Sequence, residues 1–325
     1  MSMLGGLKKA IGMSPIPTFM RRFRSGLRVV LYHHVGEEDE FTRHLGCTTS
    51  EETFEAHVDW YARNYDVVTM DDILGRDPLP RRPLLITFDD AYKSVLDTAG
   101  RILLSRGLPS TLFLVTDPVF RGRMVLDNLL SFACCRRRES VEDLCPAPCA
   151  DPVHDVLFHV IPDRGLTERD RIRETLSEEH GEEADRLARR TGLYLREGDL
   201  PTLADYGISI ARHTASHVNM RLVEDPGFEV EDEWASCGMD PGIRAFSFPF
   251  GGFSDAEATI RRIVEAGIGP SFLVEGCSNQ VGQKVYYRTS PKTDSVDNLN
   301  ADLEVLSVIR RMRKRSRIAS IEDQA

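Results

Sequence analysis

The sequence predicts an α/β fold built on a largely parallel sheet, and three observations carry this prediction. Short apolar strands alternate with amphipathic helices over the first 115 residues, and the same rhythm returns after about residue 207. Strands and helices that alternate at this spacing form βαβ units, in which the strands run parallel. A polar, charge-rich stretch of helical character separates the two parts. We therefore predict a helical insertion at about 121–200.

The first part of the sheet can be assigned element by element. Segments rich in apolar and β-branched residues predict strands, and apolar residues at 3.6-residue spacing predict helices. The predicted strands are 27–32, 66–69, 84–87 and 111–115. One predicted helix begins at Thr49-Ser-Glu-Glu52, which has the form of a capping box, and ends near Asn64. A second begins near Val95 and ends before Gly107.

The second part repeats the pattern. Predicted strands are 207–211, 245–248 and 285–288, and a helix capped by Ser254 and Glu257 ends at Gly267. A final amphipathic helix is predicted at 303–312. The chain is thus predicted to consist of an N-terminal basic tail (1–27), a main domain (28–291), and a C-terminal helix and tail (292–325).

Composition limits the classes of function. Of the 325 residues, 41% are hydrophobic and 28% are charged, as in ordinary globular proteins. A net charge of −10 disfavours nucleic-acid binding through phosphate neutralisation. The sequence has no apolar run of about 18 residues that could span a bilayer, and Pro15 and Pro17 interrupt the basic start, which lacks a signal-peptide core.

The same features lead to an expected location. Seven cysteines form an odd set and a chain of this size needs no disulfide framework, so we expect a reducing, cytoplasmic compartment. The basic residues near the start and the run 310–315 are expected to be solvated, with a peripheral contact to an anionic membrane as the alternative. The sequence does not indicate the oligomeric state.

Two motifs at predicted strand ends carry metal or acid–base chemistry. Thr87-Phe-Asp-Asp90 places two carboxylates at the carboxyl end of a strand, where parallel sheets gather ligands. An Asp there can instead cap the next helix, but capping accounts for only one of the two. In His213-Thr-Ala-Ser-His217, two imidazoles four positions apart can share a metal ion, although such pairs are often core or surface histidines. Together with Asp90 they form a two-His, one-carboxylate set that leaves positions open for water and substrate.

Two further motifs are individually weaker. Phe248-Pro-Phe-Gly-Gly252 follows a strand and could be an ordinary βα turn. Leu31-Tyr-His-His34 ends the first strand, where a histidine could serve as a general acid or could be a core or surface residue.

Together the four motifs resemble those of the polysaccharide deacetylases of carbohydrate esterase family four, the NodB-homology group. Thr87–Asp90, His213–His217 and Phe248–Gly251 look like its first three motifs, in the same order. Tyr32-His33-His34-Val35 is similar to the N-terminal Tyr-His-x-Val motif of the permuted exopolysaccharide deacetylase branch. The resemblance covers about 28–291. It implies a distorted (β/α) barrel that removes N-acetyl groups from a sugar of a poly-, oligo- or lipid-linked saccharide.

The resemblance also implies roles for individual residues. Asp89 would be the general base and His33 the acid that protonates the leaving amine. The backbone N–H of Phe250 would hold the oxyanion. Asp90, His213 and His217 would bind a divalent metal, with zinc expected and cobalt, nickel or manganese as alternatives. Substrate or supporting contacts are expected from Tyr32, His34, Pro249, Gly251 and Arg288.

Four positions depart from the family pattern. Ala91 stands in place of the usual Gly and Phe250 in place of a common Tyr, and both replacements are expected to be tolerated. Ser247 stands where unpermuted members have an Arg that pairs with the base, and a base without a nearby cation would have a raised pKa. Arg288, in Tyr286-Tyr-Arg-Thr289, is the hypothesised replacement. His34 stands where the permuted motif has an Asp, so the sequence does not assign the group that orients His33.

Other functions stay open from sequence alone. They are a glycan-binding protein without turnover, a hydrolase of another non-peptide carbon–nitrogen bond, and a scaffold built on the charged insertion. The intact Asp89 and metal-ligand set favour the deacetylase. The insertion also contains Cys134, Cys135, Cys145 and Cys149, which could form a zinc knot, although the four together match no common zinc-finger spacing and adjacent cysteines rarely bind one metal.

Overall fold

The computed structural model describes residues 3–23, 26–75, 77–224, 234, 237, 242–251, 257–265, 267–277, 279–280, 282–291 and 295–313. The strands are β1 Arg28–Tyr32, β2 His34–Val35, β3 Thr48–Thr49, β4 Asp66–Val67, β5 Pro83–Asp90, β6 Ser110–Leu114, β7 Ile208–Arg212, β8 Phe246–Ser247, β9 Ser271–Val274 and β10 Val285–Arg288.

The helices alternate with these strands and fill the interval between β6 and β7. Before β6 they are α1 Met3–Met13, α2 Pro15–Phe23, α3 Glu51–Asn64, α4 Met70–Leu74 and α5 Val95–Gly100, continued by Arg101–Leu104. Between β6 and β7 they are α6 Leu126–Arg136, α7 Glu139–Glu142, α8 Pro152–Asp155 (continued by Val156–Val160 and Ile161–Arg164), α9 Leu166–Leu176 (continued by Ser177–Gly181 and Glu182–Thr191) and α10 Leu200–Asp205. After β8 they are α11 Glu257–Glu265 and α12 Val296–Ala301, continued by Asp302–Leu306 and Ser307–Arg313.

Seven strands form a nearly closed parallel barrel. Their order is β1-β5-β6-β7-β8-β9-β10, every pairing is parallel, and β4 pairs with the start of β5. Thr289, just after β10, pairs with Val30, so the last strand returns to the first. Leu31 N donates to Thr289 O, and Thr289 N donates to Val29 O, each at 2.9 Å. The expected distorted α/β barrel is confirmed. Because all its strands are parallel, their carboxyl ends meet at one rim.

The sequence located most of this barrel. Every predicted strand is present within a few residues, but β9 and the helices α1, α2 and α4 were not predicted. Helix α3 begins one residue later than its capping box suggested, since Ser50 is the N-cap and its hydroxyl accepts from Thr53 N at 3.2 Å. The predicted helix cap at Ser254, Gly252 of the third motif and the basic end beyond residue 313 lie outside the described residues.

The insertion is helical, as predicted, and has its own core. Helices α6 to α9 bury apolar side chains against one another, including Phe132, which stacks on Phe41 with ring centroids 5.1 Å apart. Phe250, from the barrel rim, packs against this core. The insertion therefore covers the carboxyl end of the strands rather than extending away from the barrel.

The segments that precede and follow the barrel domain in the sequence pack together. Arg21 of α2 is buried and donates to Asn300 Oδ1 of α12 at 2.5 Å. Arg28 at the start of β1 pairs with the buried Glu304 at 2.9 Å. Among the described helices, none has both the length and the hydropathy that crossing a membrane requires.

Candidate active site

The predicted site residues meet at the carboxyl rim of the barrel. A pocket of about 300 Å³ opens there, and strands from opposite sides of the barrel contribute to its walls. Its lining includes His33, Asp89, Asp90, His213, His217, Phe250 and Gly251. Four motifs separated by more than 200 residues in sequence thus face one cavity, because each follows a strand of the same parallel barrel.

The backbone is strained at this rim. Four non-glycine residues among those described have positive φ angles: Asp90 (74°), Thr214 (65°), His217 (54°) and Phe250 (59°). Such conformations cost roughly 1–3 kcal/mol each and are retained where surrounding structure imposes them, often at functional sites. Here all four belong to the three motifs around the pocket.

Asp90, His213 and His217 converge as a candidate metal-binding set. Asp90 Oδ1 lies 3.6 Å from His213 Nε2 and 3.5 Å from His217 Nε2. One donor atom from each residue can be chosen so that all three lie within 4.8 Å of one another. Two imidazole nitrogens and a carboxylate oxygen suit zinc and neighbouring transition metals.

The outer nitrogens of both rings are already engaged. His213 Nδ1 donates to the carbonyl oxygen of Ser247 at 2.8 Å, so the neutral ring carries its lone pair on Nε2. His217 Nδ1 lies 2.8 Å from Asp127 Oδ2. Contacts of this kind orient metal-binding histidines and fix their tautomer. The residues present therefore fit a divalent metal held by the two Nε2 atoms and Asp90.

The two histidines differ in charge state. Burial lowers the pKa of His213 to about 4, and the attraction of Asp89 only partly opposes this effect. Burial also disfavours the charged form of His217, but the carboxylates of Asp127 and Asp90 raise its pKa to about 9. The negative charge that favours a proton on His217 would also favour a divalent cation at the same place.

Asp89 is buried in an ion pair with Arg288. Arg288 Nη1 donates to Asp89 Oδ1 at 2.6 Å, and Nη2 donates to Oδ2 at 2.7 Å. Both side chains are nearly inaccessible, with Asp89 2% and Arg288 0% exposed. Burial alone would raise the pKa of Asp89, but Arg288 and His213 hold it below its ordinary value. Asp89 is therefore an ionised carboxylate at neutral pH.

Ser247 joins this pair. Its hydroxyl accepts from Arg288 Nη2 at 2.6 Å and donates to Asp89 Oδ2 at 3.1 Å. Arg288 therefore supplies the cation beside Asp89 that was hypothesised from the sequence. It reaches Asp89 from β10, whereas Ser247, which stands at the position of the family's arginine, lies on β8. The raised pKa considered for Asp89 does not occur, because this guanidinium is present.

The N-terminal motif Tyr32-His33-His34-Val35 divides its residues between pocket and core. His33 lines the pocket, and burial lowers its pKa despite the nearby carboxylates of Asp90 and Asp89. No side chain among the described residues hydrogen-bonds to its ring. His34 packs edge-on against Tyr92, with ring centroids 5.5 Å apart, and burial lowers its pKa as well.

The other residues predicted to make substrate or supporting contacts lie where they support the surrounding structure. Tyr32 is buried, and its hydroxyl bonds to His57 Nδ1 at 2.9 Å and to the hydroxyl of Tyr61 at 2.7 Å, so it faces the core and not the pocket. Pro249 is also buried. Gly251 has φ 75°, and a Cβ there would lie 3.0 Å from Val274 Cβ, so the turn requires glycine.

The insertion contributes residues that sequence reasoning missed. Asp127, at the start of α6, contacts the ring of His217. Arg169 of α9 donates from Nη2 to the carbonyl oxygen of Ser216 at 2.7 Å and so holds the loop between the two histidines. A usable signal was present in Leu126-Asp-Asn-Leu-Leu130, where two polar residues interrupt an apolar run and, if buried, must find polar partners.

The insertion also forms one wall of the pocket. His154, Leu157 and Phe158 of α8 line it. Phe158 meets Phe250 in a T-shaped contact with centroids 5.5 Å apart, and Phe250 in turn lies against the ring of His217 at 4.8 Å. Barrel and insertion thus share an aromatic contact beside the metal-binding set.

Comparison with known proteins supports the fold. No protein-family model matches the sequence, and no curated protein matches it. Among solved structures, the chain is similar to the deacetylase PplD of Streptococcus pyogenes in complex with acetate, with a TM-score of 0.57 and 12% identity over 86% of this chain and 98% of that chain. It is also similar to a polysaccharide deacetylase of Bacillus cereus, with a TM-score of 0.55 and 15% identity over 86% and 70% of the two chains. For IcaB of Ammonifex degensii the TM-score is 0.52, with 17% identity over 87% and 98%. The barrel is therefore of the type found in polysaccharide deacetylases.

Proposed function

We propose that this protein is a metal-dependent hydrolase that removes N-acetyl groups from an N-acetylated sugar of a poly-, oligo- or lipid-linked saccharide. One observation carries the proposal. The buried carboxylate of Asp89, clamped by Arg288, lies beside the Asp90, His213 and His217 set in one pocket, with Asp89 Oδ2 3.7 Å from His213 Nε2. The fold shared with polysaccharide deacetylases supports the substrate class.

Asp90, His213 and His217 would hold the metal. A bound divalent metal would polarise the amide carbonyl and lower the pKa of a bound water, which together supply several kcal/mol of transition-state stabilisation. We propose zinc, because two imidazoles and one carboxylate with open positions form a typical catalytic zinc set.

Asp89 would act as the general base. Arg288 keeps it ionised, and Ser247 fixes the orientation of the carboxylate. An ionised carboxylate at the edge of the metal-binding set can take a proton from the attacking water. A carboxylate with a low pKa is a weak base, so the driving force for this proton transfer is small. The close, fixed geometry of the site offsets this disadvantage.

His33 would act as the general acid. It lines the same pocket, and burial lowers its pKa, so its imidazolium is a stronger acid than that of a free histidine. The imidazolium would donate its proton to the leaving amine, which completes the hydrolysis of the amide to acetate and a free amino sugar. The backbone N–H of Phe250, in the strained turn after β8, would stabilise the oxyanion.

The proposal extends to location. A cytoplasmic enzyme of this kind would meet nucleotide sugars or lipid-linked precursors, and basic surface residues could give it a peripheral membrane contact. Cell fractionation followed by detection of the protein tests this part separately.

Acetate release from N-acetylglucosamine oligomers tests the function. We expect release that stops on chelation and returns with zinc or cobalt, and that falls about 10²- to 10⁴-fold in Asp89→Asn. Asp97→Asn, an exposed carboxylate in the following helix, is the matched control and should retain activity. Release that survives both chelation and Asp89→Asn would refute the mechanism. Stoichiometric metal binding without release from any N-acetylated glycan would favour a binding protein or another amide substrate.

A further inference from the structure

A second group of metal-ligand side chains lies in the insertion, outside the pocket. Cys145-Pro-Ala-Pro-Cys149 forms a tight turn before α8, and the two Sγ atoms are 3.4 Å apart. The carboxylate of Asp155, in the first turn of α8, completes the group, with one atom from each residue within 4.8 Å of the others. All three residues are partly exposed, so ions can reach them from solvent.

The turn itself holds the sulfurs together. Cys145 Sγ lies 3.7 Å from the carbonyl oxygen of Val141 and 3.8 Å from that of Pro152. Two prolines restrict the backbone between the cysteines. Two Zn–S bonds of about 2.3 Å at a tetrahedral angle place the sulfurs about 3.8 Å apart, close to the separation found here.

The carboxylate distinguishes a metal site from a simple thiol pair. A disulfide would account for the short distance between the two sulfurs but not for the carboxylate of Asp155 beside them. Two sulfurs and a carboxylate oxygen supply three ligand atoms for one divalent cation, which would displace the thiol protons when it binds. His159 Nδ1 lies 3.1 Å from Asp155 Oδ1 and holds this carboxylate, as polar neighbours commonly hold metal-binding carboxylates.

We propose that Cys145, Cys149 and Asp155 form a second metal site, distinct from the Asp90, His213 and His217 set, that takes a zinc-like divalent cation. Sulfur ligands select borderline and soft metals over magnesium or calcium. A spacing of three residues between the cysteines lies within the range used by zinc sites. This proposal does not depend on the proposed deacetylase activity.

The position of the site suggests what the metal would do. Asp155 belongs to α8, the helix whose His154, Leu157 and Phe158 line the pocket. A cation that joins the Cys145 turn to Asp155 would fix the start of that helix. The second site would therefore stabilise the helix that forms the insertion wall of the pocket.

Cobalt binding tests the proposal. Co²⁺ is titrated into reduced, metal-free protein, and absorption is followed in the near ultraviolet, where thiolate-to-cobalt charge transfer appears. We expect two bound Co²⁺ per chain and a thiolate band from one of them. The Asp90, His213 and His217 set contains no sulfur and contributes no such band.

Matched variants assign the band. In Cys145→Ser/Cys149→Ser we expect one bound Co²⁺ and no thiolate band, whereas Cys135→Ser, a partly exposed cysteine of α6, should behave as wild type. Asp155→Asn, which keeps both thiols, should weaken binding of the sulfur-ligated ion at least tenfold. His217→Ala should lose the other ion and keep the band, which separates this site from the proposed catalytic one.

The contrary results are equally distinct. A reduced wild-type protein without a thiolate band, or a band that persists in Cys145→Ser/Cys149→Ser, would overturn the proposal. So would unchanged binding of the sulfur-ligated ion in Asp155→Asn, since the site would then be a thiol pair alone.

Discussion

The barrel rim and the insertion face the same pocket but contribute different kinds of residue. The rim supplies the groups suited to bond making and breaking, namely Asp89 and the Asp90, His213 and His217 set. The insertion supplies groups that touch them from outside, such as Asp127 against His217 and Phe158 against Phe250. The barrel thus carries the groups suited to chemistry and orients Asp89 and His213 through Ser247 and Arg288, whereas the insertion contacts His217 and encloses the pocket.

The rim and the insertion should also respond differently to mutation. Groups on the rim are held by strained backbone and by buried charge pairs, so changing them should affect folding and activity together. Insertion residues such as Asp127 and Phe158 meet the site through their side chains. Changing those should alter metal affinity or substrate affinity and leave the barrel folded.

Replacing Arg288 should have the largest effect. Arg288→Gln leaves the carboxylate of Asp89 buried without its cation, and breaking a buried ion pair in this way costs about 3–5 kcal/mol. With Arg288 gone, burial would raise the pKa of Asp89, so the acid limb of kcat/KM should move to higher pH. Urea unfolding and a pH–rate profile measure the two effects.

The stability loss should depend on pH. The pKa of Asp89 is lowered in the folded protein, so the pair stabilises the fold at pH above the unfolded value of about 4 and this stabilisation is lost as pH falls through the folded value. The destabilisation by Arg288→Gln should therefore be full at pH 7 and smaller at pH 3. Arg212→Gln, which removes a buried arginine that donates to Ile243 O, is the control and should leave the acid limb in place. An unmoved acid limb in Arg288→Gln would show that Arg288 does not tune the base.

Removing the charge of Asp127 should have a smaller and more specific effect. Asp127→Asn keeps the shape of the side chain but weakens its contact with His217 Nδ1, and losing such a partner typically lowers metal affinity 10- to 100-fold. Calorimetric titration with zinc measures this loss directly. Asp117→Asn is the control, because that buried carboxylate pairs with Arg121 instead. Equal affinity in Asp127→Asn and wild type would mean that the insertion does not orient the metal ligands.

The same division explains what the sequence could predict. Asp89 and Asp90 end one apolar strand, and the His213–His217 motif follows another. The rim position of a strand end follows from the parallel arrangement alone. Asp127 and Arg169 lie in charge-rich helices where acidic and basic residues are common. Their approach to the histidine loop depends on how the insertion packs on the barrel, which local patterns do not encode.

Arg288 falls between these cases. Its strand was predicted, but β9 was not, so the sequence could not place β10 next to β1 in the barrel. Residues 89 and 288 meet only because Thr289 pairs with Val30 and closes the sheet. Helices α1 and α2 were missed for a similar reason, since the partners of Lys8 and Arg21 lie in α12, more than 270 residues away.

The smallest expected effect comes from the aromatic wall. Phe158 is 45% exposed and contacts Phe250 edge-on, so it contributes to the pocket surface without supporting the barrel core. A sugar ring that covers about 40 Å² of the exposed Phe158 side chain would gain about 1 kcal/mol, and Phe158→Ala should therefore raise KM roughly fivefold. We expect kcat and the unfolding midpoint to change little, because no group suited to proton transfer or metal binding is altered.

Leu104→Ala is the matched control for this prediction, since Leu104 is similarly exposed on α5 and does not line the pocket. Steady-state kinetics on N-acetylglucosamine oligomers of increasing length provide the measurement. If the wall binds substrate, the KM difference between Phe158→Ala and wild type should grow with oligomer length until the wall is reached and then stay constant. A fall in kcat with unchanged KM would instead mean that Phe158 acts through Phe250 on the oxyanion contact. The insertion would then take part in the chemistry together with the barrel rim.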